Sequence, residues 1–268
     1  MLKIGLVGCG VIGSRLAREI QNQFRRKARL IGLFDHRRDV AERLSHQLKL
    51  RVPILPPHKM IPRCDLLIEA ASSHAVGELL PDVIAHKKGM LVMSTGGLLQ
   101  HRRLLAQALH QGVPLYLPSG ALAGVDGIKA ASLGRLRRVT LTTRKPPKAF
   151  ASAPEVLRRK IRLDGIRRPQ ILFEGTALMA TSAFPQNVNV AATLSLAGIG
   201  PVRTRVRIIA DPSLKKNVHE VEAVGSFGRL SIRVESYPSP KNPKTSQLAV
   251  LSAVATLRQI VTPIRVGT

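Results

Sequence analysis

The sequence predicts an α/β fold, with a doubly wound parallel-sheet domain followed by a second α+β domain built on a mixed or antiparallel sheet. Three observations support this. Short apolar runs alternate with segments of helical period as far as residue 117. A glycine turn separates the first apolar run from the first helical segment. Beyond about residue 122 the texture changes to several strand-like runs, interrupted by two helical segments.

Residues 2–7 are an apolar run ended by glycines and read as a buried strand. Residues 11–24 have helical spacing, with Val11, Ile12, Leu16, Ile20 and Phe24 on one face and Arg15, Arg18 and Glu19 elsewhere. Residues 30–34 form the next apolar run, ended by Asp35, and 39–48 are again helical. The alternation continues with a strand at 66–70, a helix at 75–86, a strand at 90–93, a helix at 98–110 and a strand at 113–117. Strands that alternate with helices imply parallel pairing. The later strands are expected at 139–143, 171–174, 202–210, 218–224 and 230–234, with helices at 177–183 and 188–196. Residues 244–261 read as one long apolar helix that packs back onto another element. The expected division is therefore 1–122 plus 244–268 for a dinucleotide-binding domain, and 123–243 for a catalytic and dimerisation domain. Residues 146–168, rich in Pro, Lys and Arg, are expected to be the least ordered, and 238–243 a hinge or turn.

Composition narrows the function classes. The 268 residues carry 42 Lys+Arg against 16 Asp+Glu, a net charge of +26, yet 44% are hydrophobic, which argues against intrinsic disorder. The 21 Gly and 18 Pro follow no triplet period, which excludes a collagen-like chain, and two Cys are too few for a disulfide scaffold. Cys9 and Cys64 have no metal-ligand spacing, so they are expected to be reduced core residues and no metal is expected. No apolar run of 18 residues occurs, and the first residues read as a strand rather than a signal segment, so neither a membrane nor export is expected and a cytoplasmic location follows. The charge raises the question of nucleic acid. Aromatics are only 3%, with no Trp, and no zinc-finger or RNP-like run appears, so no specific nucleic acid is expected.

Gly8-Cys9-Gly10-Val11-Ile12-Gly13 has the spacing G-x-G-x-x-G between a strand and a helix, and Asp35 ends the second strand. That is the context of a Rossmann-type dinucleotide site. Gly8 allows the tight turn, Gly10 lets the backbone approach the pyrophosphate, and Gly13 permits close packing of helix on strand. The pyrophosphate would cap the helix that Val11 and Ile12 begin. Asp35 would accept the ribose hydroxyls and repel a 2′-phosphate, which favours NAD; His36, Arg37 and Arg38 follow at once and could accommodate NADP.

In the second domain, the small residues of 119–126, Ala121 and Ala123 among them, suit close contact with a nicotinamide ring; a plain crossover loop is the alternative. Asn187 and Asn189 open a helix and could either cap it or bind a ligand. His219 lies on an alternating strand and shares a face with Val221 and Ala223, while Glu220 and Glu222 point the other way. A single His is more often structural than catalytic, but this one sits on an otherwise apolar strand.

These pieces together resemble the L-aspartate dehydrogenases. The matching segments are 8–13, Glu69-Ala70-Ala71-Ser72, Ser94-Thr95-Gly96, 119–126, Thr142-Thr143-Arg144-Lys145-Pro146, Phe173-Glu174-Gly175, 184–195, 207–212, Asn217-Val218-His219-Glu220 and Asn242-Pro243-Lys244-Thr245-Ser246. They run in order through nearly the whole chain. The resemblance implies NAD- or NADP-dependent oxidation of L-aspartate to iminoaspartate, which yields oxaloacetate and ammonia or feeds NAD synthesis. It implies His219 as the catalytic acid/base, Ala71 and Ser72 on the cofactor, and Ala123 and Asn189 on the nicotinamide nucleotide. Asn187, Asn189, Lys244 and Thr245 are then candidates for the substrate, with Arg144 and Lys145 as weaker ones for its carboxylates. It also implies a homodimer. The alternatives are a two-domain dehydrogenase or reductase of another substrate, homoserine-dehydrogenase-like or dihydrodipicolinate-reductase-like, and a basic nucleic-acid-binding protein. The chain departs from the family in its basic bias and in the insertion-like stretch 149–168.

Overall fold

The computed structural model describes residues 1–185, 188–239 and 242–267. The chain resolves into two compact units, Met1–Pro118 with Val250–Arg265, and Ser119–Ala249 with the stretch that begins at Val266.

The first unit contains β1 (Leu2–Val7), α1 (Val11–Gln21), β2 (Ala28–Phe34), α2 (Arg38–Gln47), α3 (Pro57–Met60), β3 (Leu66–Glu69), α4 (Ser73–Ala85), β4 (Gly89–Val92), α5 (Thr95–Gln100), α6 (Arg102–His110) and β5 (Leu115–Tyr116). The sheet order is β2-β1-β3-β4-β5, and every pairing is parallel. The order reverses at β1, which has β2 on one side and β3 on the other. That reversal opens a crevice at the carboxyl ends of these strands, where ligands bind in such sheets. α1 turns Gly13, Leu16, Ala17 and Ile20 inward, the i, i+3, i+4, i+7 stripe of an amphipathic helix.

Some boundaries differ from the sequence expectation. The single helix expected over 98–110 is two helices broken at His101, whose φ of −110° and ψ of 50° leave the helical region. The His101 ring lies against Gly77 of α4, where a Cβ would stand 2.3 Å from its Nε2. α1 stops at Gln21, yet Phe24 stays buried in the turn that follows.

The second unit contains α7 (Val125–Ser132), β6 (Leu136–Lys145), α8 (Pro154–Arg158), β7 (Gln170–Thr176), α9 (Ala177–Ala183), α10 (Val188–Ala197), β8 (Arg205–Ala210), β9 (Asn217–Gly225), β10 (Gly228–Ser236), β11 (Pro238–Ser239) and β12 (Asn242–Ser246). Its main sheet has the order β10-β9-β6-β8-β7; β6 and β8 are parallel and the other pairs antiparallel. Leu141, Val139, Val221 and Ala223 face a core shared with Ile128, Phe150, Phe184 and Leu194. Of the stretch expected to be least ordered, 146–168, the first half is anchored, while 159–168 carries no helix or strand. The first half forms the 3-10 turn Pro147–Phe150 and then α8, each started by a proline. Phe150 is fully buried and meets Phe184 edge-on at 5.9 Å.

The strand expected over 202–210 begins only at Arg205, because Thr204 N–H closes a turn on the Gly200 carbonyl. The 238–243 segment lies in the antiparallel pair β11–β12, within which Pro240 and Lys241 fall outside the described residues. The long helix α11 (Gln247–Val261) therefore starts after Lys244 rather than at it. Its Ala253 and Leu257 join the first unit's core beside Leu16 and Ile20.

Phe150→Ala should destabilise the second unit by about 3–5 kcal/mol, since it leaves a cavity among Phe184 and its neighbours. Urea denaturation checks this, and limited proteolysis should then cut within 146–168.

Candidate functional site

The glycines of the first turn do three different jobs. Gly8 sits at φ +92°, and a Cβ there would stand 2.4 Å from the Ala70 carbonyl oxygen. A Cβ on Gly13 would stand 1.8 Å from the Gly8 carbonyl oxygen. Packing thus demands both. Gly10 is different: nothing lies within 4 Å of where its Cβ would be. It caps α1 without any side-chain hydrogen bond, and the first turn carries no acid. The result is a helix N-terminus with uncapped amides under open space, which suits an anionic pyrophosphate.

Asp35 stands at the end of β2 against this turn. One carboxylate oxygen accepts the Cys9 N–H at 2.8 Å and the other the Arg37 N–H at 3.0 Å. Burial, with the Asp35 charge beside it, pushes the Cys9 thiol up to about 12, so it stays protonated. His36 rests edge-on against Phe34, with ring centroids 5.6 Å apart. It lines a cavity of 270 Å³ with Val7, Phe34, Ala75 and Leu79. Arg37 is exposed, whereas Arg38 donates through Nε to Glu42 at 2.9 Å. Ala71 and Ser72 follow β3 at the same edge of the sheet. The Ala71 amide donates to Glu69 at 2.7 Å, and the Ser72 hydroxyl caps α4 by accepting Ala75 N–H at 3.2 Å.

Glu69 is a residue to which sequence reasoning gave no role. It is fully buried at the end of β3, where it also accepts the Ser94 N–H and hydroxyl, both at 2.9 Å. Burial pushes its carboxyl up, and these donors pull it back. It ties the loop after β3 to the loop after β4. The available signal was an acid closing an apolar strand.

In the second unit, β6 and β9 place Thr143 directly opposite His219. Thr143 Oγ1 lies 3.0 Å from His219 Nδ1, a hydrogen bond whose direction follows the imidazole tautomer. Both residues face the core side and are 2% and 3% exposed. The alternation holds: His219 and Val221 are inward, while Glu220 and Glu222 form ion pairs with Arg144 and Arg138. An imidazole ordinarily titrates near neutrality, and this one is displaced. Burial, aided by the positive charge of Lys145, pushes it down to about 3, so His219 is neutral at physiological pH. Lys145 ends β6 two residues past Thr143, on the same face. Its side chain is half-buried, and desolvation lowers it to about 8. Arg144 points the other way and donates to Glu220 at 3.1 Å.

The remaining second-unit candidates lie on separate elements. Ala121 is buried and Ala123 exposed on the loop that leads through Gly124, at φ +67°, into α7. Asn189 is exposed in the first turn of α10, and Asn187 lies outside the described residues. Lys244 and Thr245 are on β12 rather than on the long helix, with Thr245 half-buried.

Comparison with known proteins covers the whole chain. Residues 126–260 match the family described as aspartate dehydrogenase, C-terminal, and residues 8–118 match the homoserine dehydrogenase NAD binding domain family. The L-aspartate dehydrogenases of Methanosarcina barkeri and Methanosarcina acetivorans are 47% and 46% identical over 272 residues, covering all of both chains. The crystal structure of the Thermotoga maritima aspartate dehydrogenase superposes with a TM-score of 0.74 at 22% identity, again over the full length of both, and supports the fold.

Two outcomes follow from the geometry. Glu69→Gln would set an amide donor against the Ser94 or Ala71 donors and should cost about 1–3 kcal/mol, read by urea denaturation. His219 has a folded value of about 3 against an ordinary 6.5, so its contribution to stability is complete above 6.5 and is lost as pH falls toward 3. The difference in unfolding free energy between wild type and His219→Asn should therefore shrink with a slope approaching about 1.4 kcal/mol per pH unit across that window. A pH-independent difference would refute it.

Proposed function

The chain belongs to the L-aspartate dehydrogenase family, and we propose that it oxidises L-aspartate to iminoaspartate with a nicotinamide dinucleotide. Water then converts the imine to oxaloacetate and ammonia. The full-length likeness to L-aspartate dehydrogenases carries this reading. The uncapped glycine turn and the buried Thr143–His219 pair are the features that give it chemistry.

The first-turn amides of α1 above Gly10 would hold the cofactor's pyrophosphate, and Asp35 its ribose. The cavity beside His36 suits the adenine ring. NAD is preferred over NADP, because the Asp35 charge lies against the turn while Arg38 is engaged by Glu42. The bound nicotinamide supplies the hydride acceptor. His219, with Nδ1 occupied by Thr143, presents Nε2 to the substrate amine or to the water that attacks the imine. Neutral at physiological pH, this nitrogen can accept a hydrogen bond from the substrate amine. Lys244 and Thr245 are assigned to the substrate carboxylates, with Asn189 on the nicotinamide side.

The decisive assay is formation of reduced cofactor on adding L-aspartate at alkaline pH. Turnover with homoserine and none with aspartate would reject the assignment. His219→Ala should lower kcat by roughly two to four decades. A much lower KM for NADP than for NAD would overturn the cofactor preference.

A further inference from the structure

The proposed reaction has a proton step that His219 is poorly suited to perform alone. The substrate amine arrives as an ammonium group, which has no lone pair to stabilise positive charge at Cα. It must lose a proton before the Cα hydride can depart. An imidazole held to about 3 is a weak base for a group that ionises in the alkaline range.

Lys145 is placed to do it. It lies on the inward face of β6 with Thr143 and Leu141, one step along the strand from the Thr143–His219 pair. β6 and β9 pair beside it, with Thr143 opposite His219 and Arg144 opposite Val218, and the Lys145 charge helps to hold the His219 imidazole down. The charged residues of the adjoining strands have partners of their own. Arg144 and Glu220 pair with each other on the opposite face, and Arg207 pairs with Glu174 there. Asp211, which follows β8, donates its N–H to the Lys145 carbonyl at 2.8 Å, and its carboxylate receives the Ser213 N–H and hydroxyl at 3.1 and 2.6 Å. Desolvation is what shifts the Lys145 ammonium, and a lysine ionising near 8 is matched to the proton it must take.

We propose that Lys145 is a second catalytic residue, whose neutral ε-amine removes the proton from the substrate's α-ammonium while His219, held by Thr143, orients the resulting amine. This rests on the reading of the chain as an L-aspartate dehydrogenase. One N–H bond of the substrate breaks and one forms at Nζ of Lys145. The substrate keeps the lone pair that stabilises the iminium, and the half-buried lysine returns its proton to solvent.

The test compares Lys145→Arg with wild type. Arginine keeps the charge but does not deprotonate, so KM for L-aspartate should stay within a few-fold while kcat falls at least about 100-fold. The acidic limb of the wild-type kcat/KM profile, near pH 8, should disappear in the variant. Lys145→Ala should regain part of its kcat with added ethylamine. Independently of turnover, competitive acetylation of the cofactor-free protein with trace acetic anhydride, read by peptide mass spectrometry, should show Lys145 half-reactive near pH 8 and ordinary lysines about two pH units higher. A Lys145→Arg variant with near wild-type kcat and an unchanged profile overturns this role alone, as does ordinary labelling of Lys145. Wild-type protein that fails to turn over L-aspartate overturns the functional reading itself, and this role with it.

Discussion

Two buried or half-buried carboxylates organise the carboxyl edge of the first sheet, and the loops that leave its strands depend on them. Backbone N–H groups leaving parallel strands must find acceptors. Asp35 receives those of Cys9 and Arg37, and Glu69 those of Ala71 and Ser94. With these satisfied from within, the first turn of α1 is left without any side-chain cap. The open, uncapped start of α1 is thus partly a matter of what its neighbours use up. The close approach of Gly13 to the Gly8 carbonyl then aims the helix at that opening.

The second unit is organised by strand alternation. One set of side chains on β6 and β9 packs into a core and carries Thr143 and His219 with it. The other set pairs Arg138 with Glu222, Arg144 with Glu220, and on β7–β8 Glu174 with Arg207. The +26 net charge is therefore not a uniform coat. On this face arginines are matched to the few acids present, and the excess lies on segments such as 158–168. Such a field attracts dianionic substrates and anionic cofactors, and salt weakens it.

Much of this was legible in the residues. Parallel pairing in the first unit followed from strand–helix alternation, and the inward direction of His219 from a period of two. Other features were not. At the break the His101 ring packs against Gly77 of α4, a contact between segments distant in sequence. The turn and helix within 147–158 are tied down where Phe150 meets Phe184, a contact that a composition rich in Pro and Arg does not foretell. The start of α11 shifted because residues 242–246 pair with β11, and strand pairing is a non-local choice.

By itself the sequence determined the two kinds of sheet, the glycine turn and the inward direction of His219, because these rest on local spacing, while the family came from a likeness of motifs along nearly the whole chain. Only the tertiary structure decided the chemistry of the groups. It made His219 neutral, lowered Lys145 toward neutrality and set Glu69 between two loops. Proton affinity depends on burial, neighbouring charge and hydrogen-bond donors, which come from distant parts of the chain and exist only once it has folded.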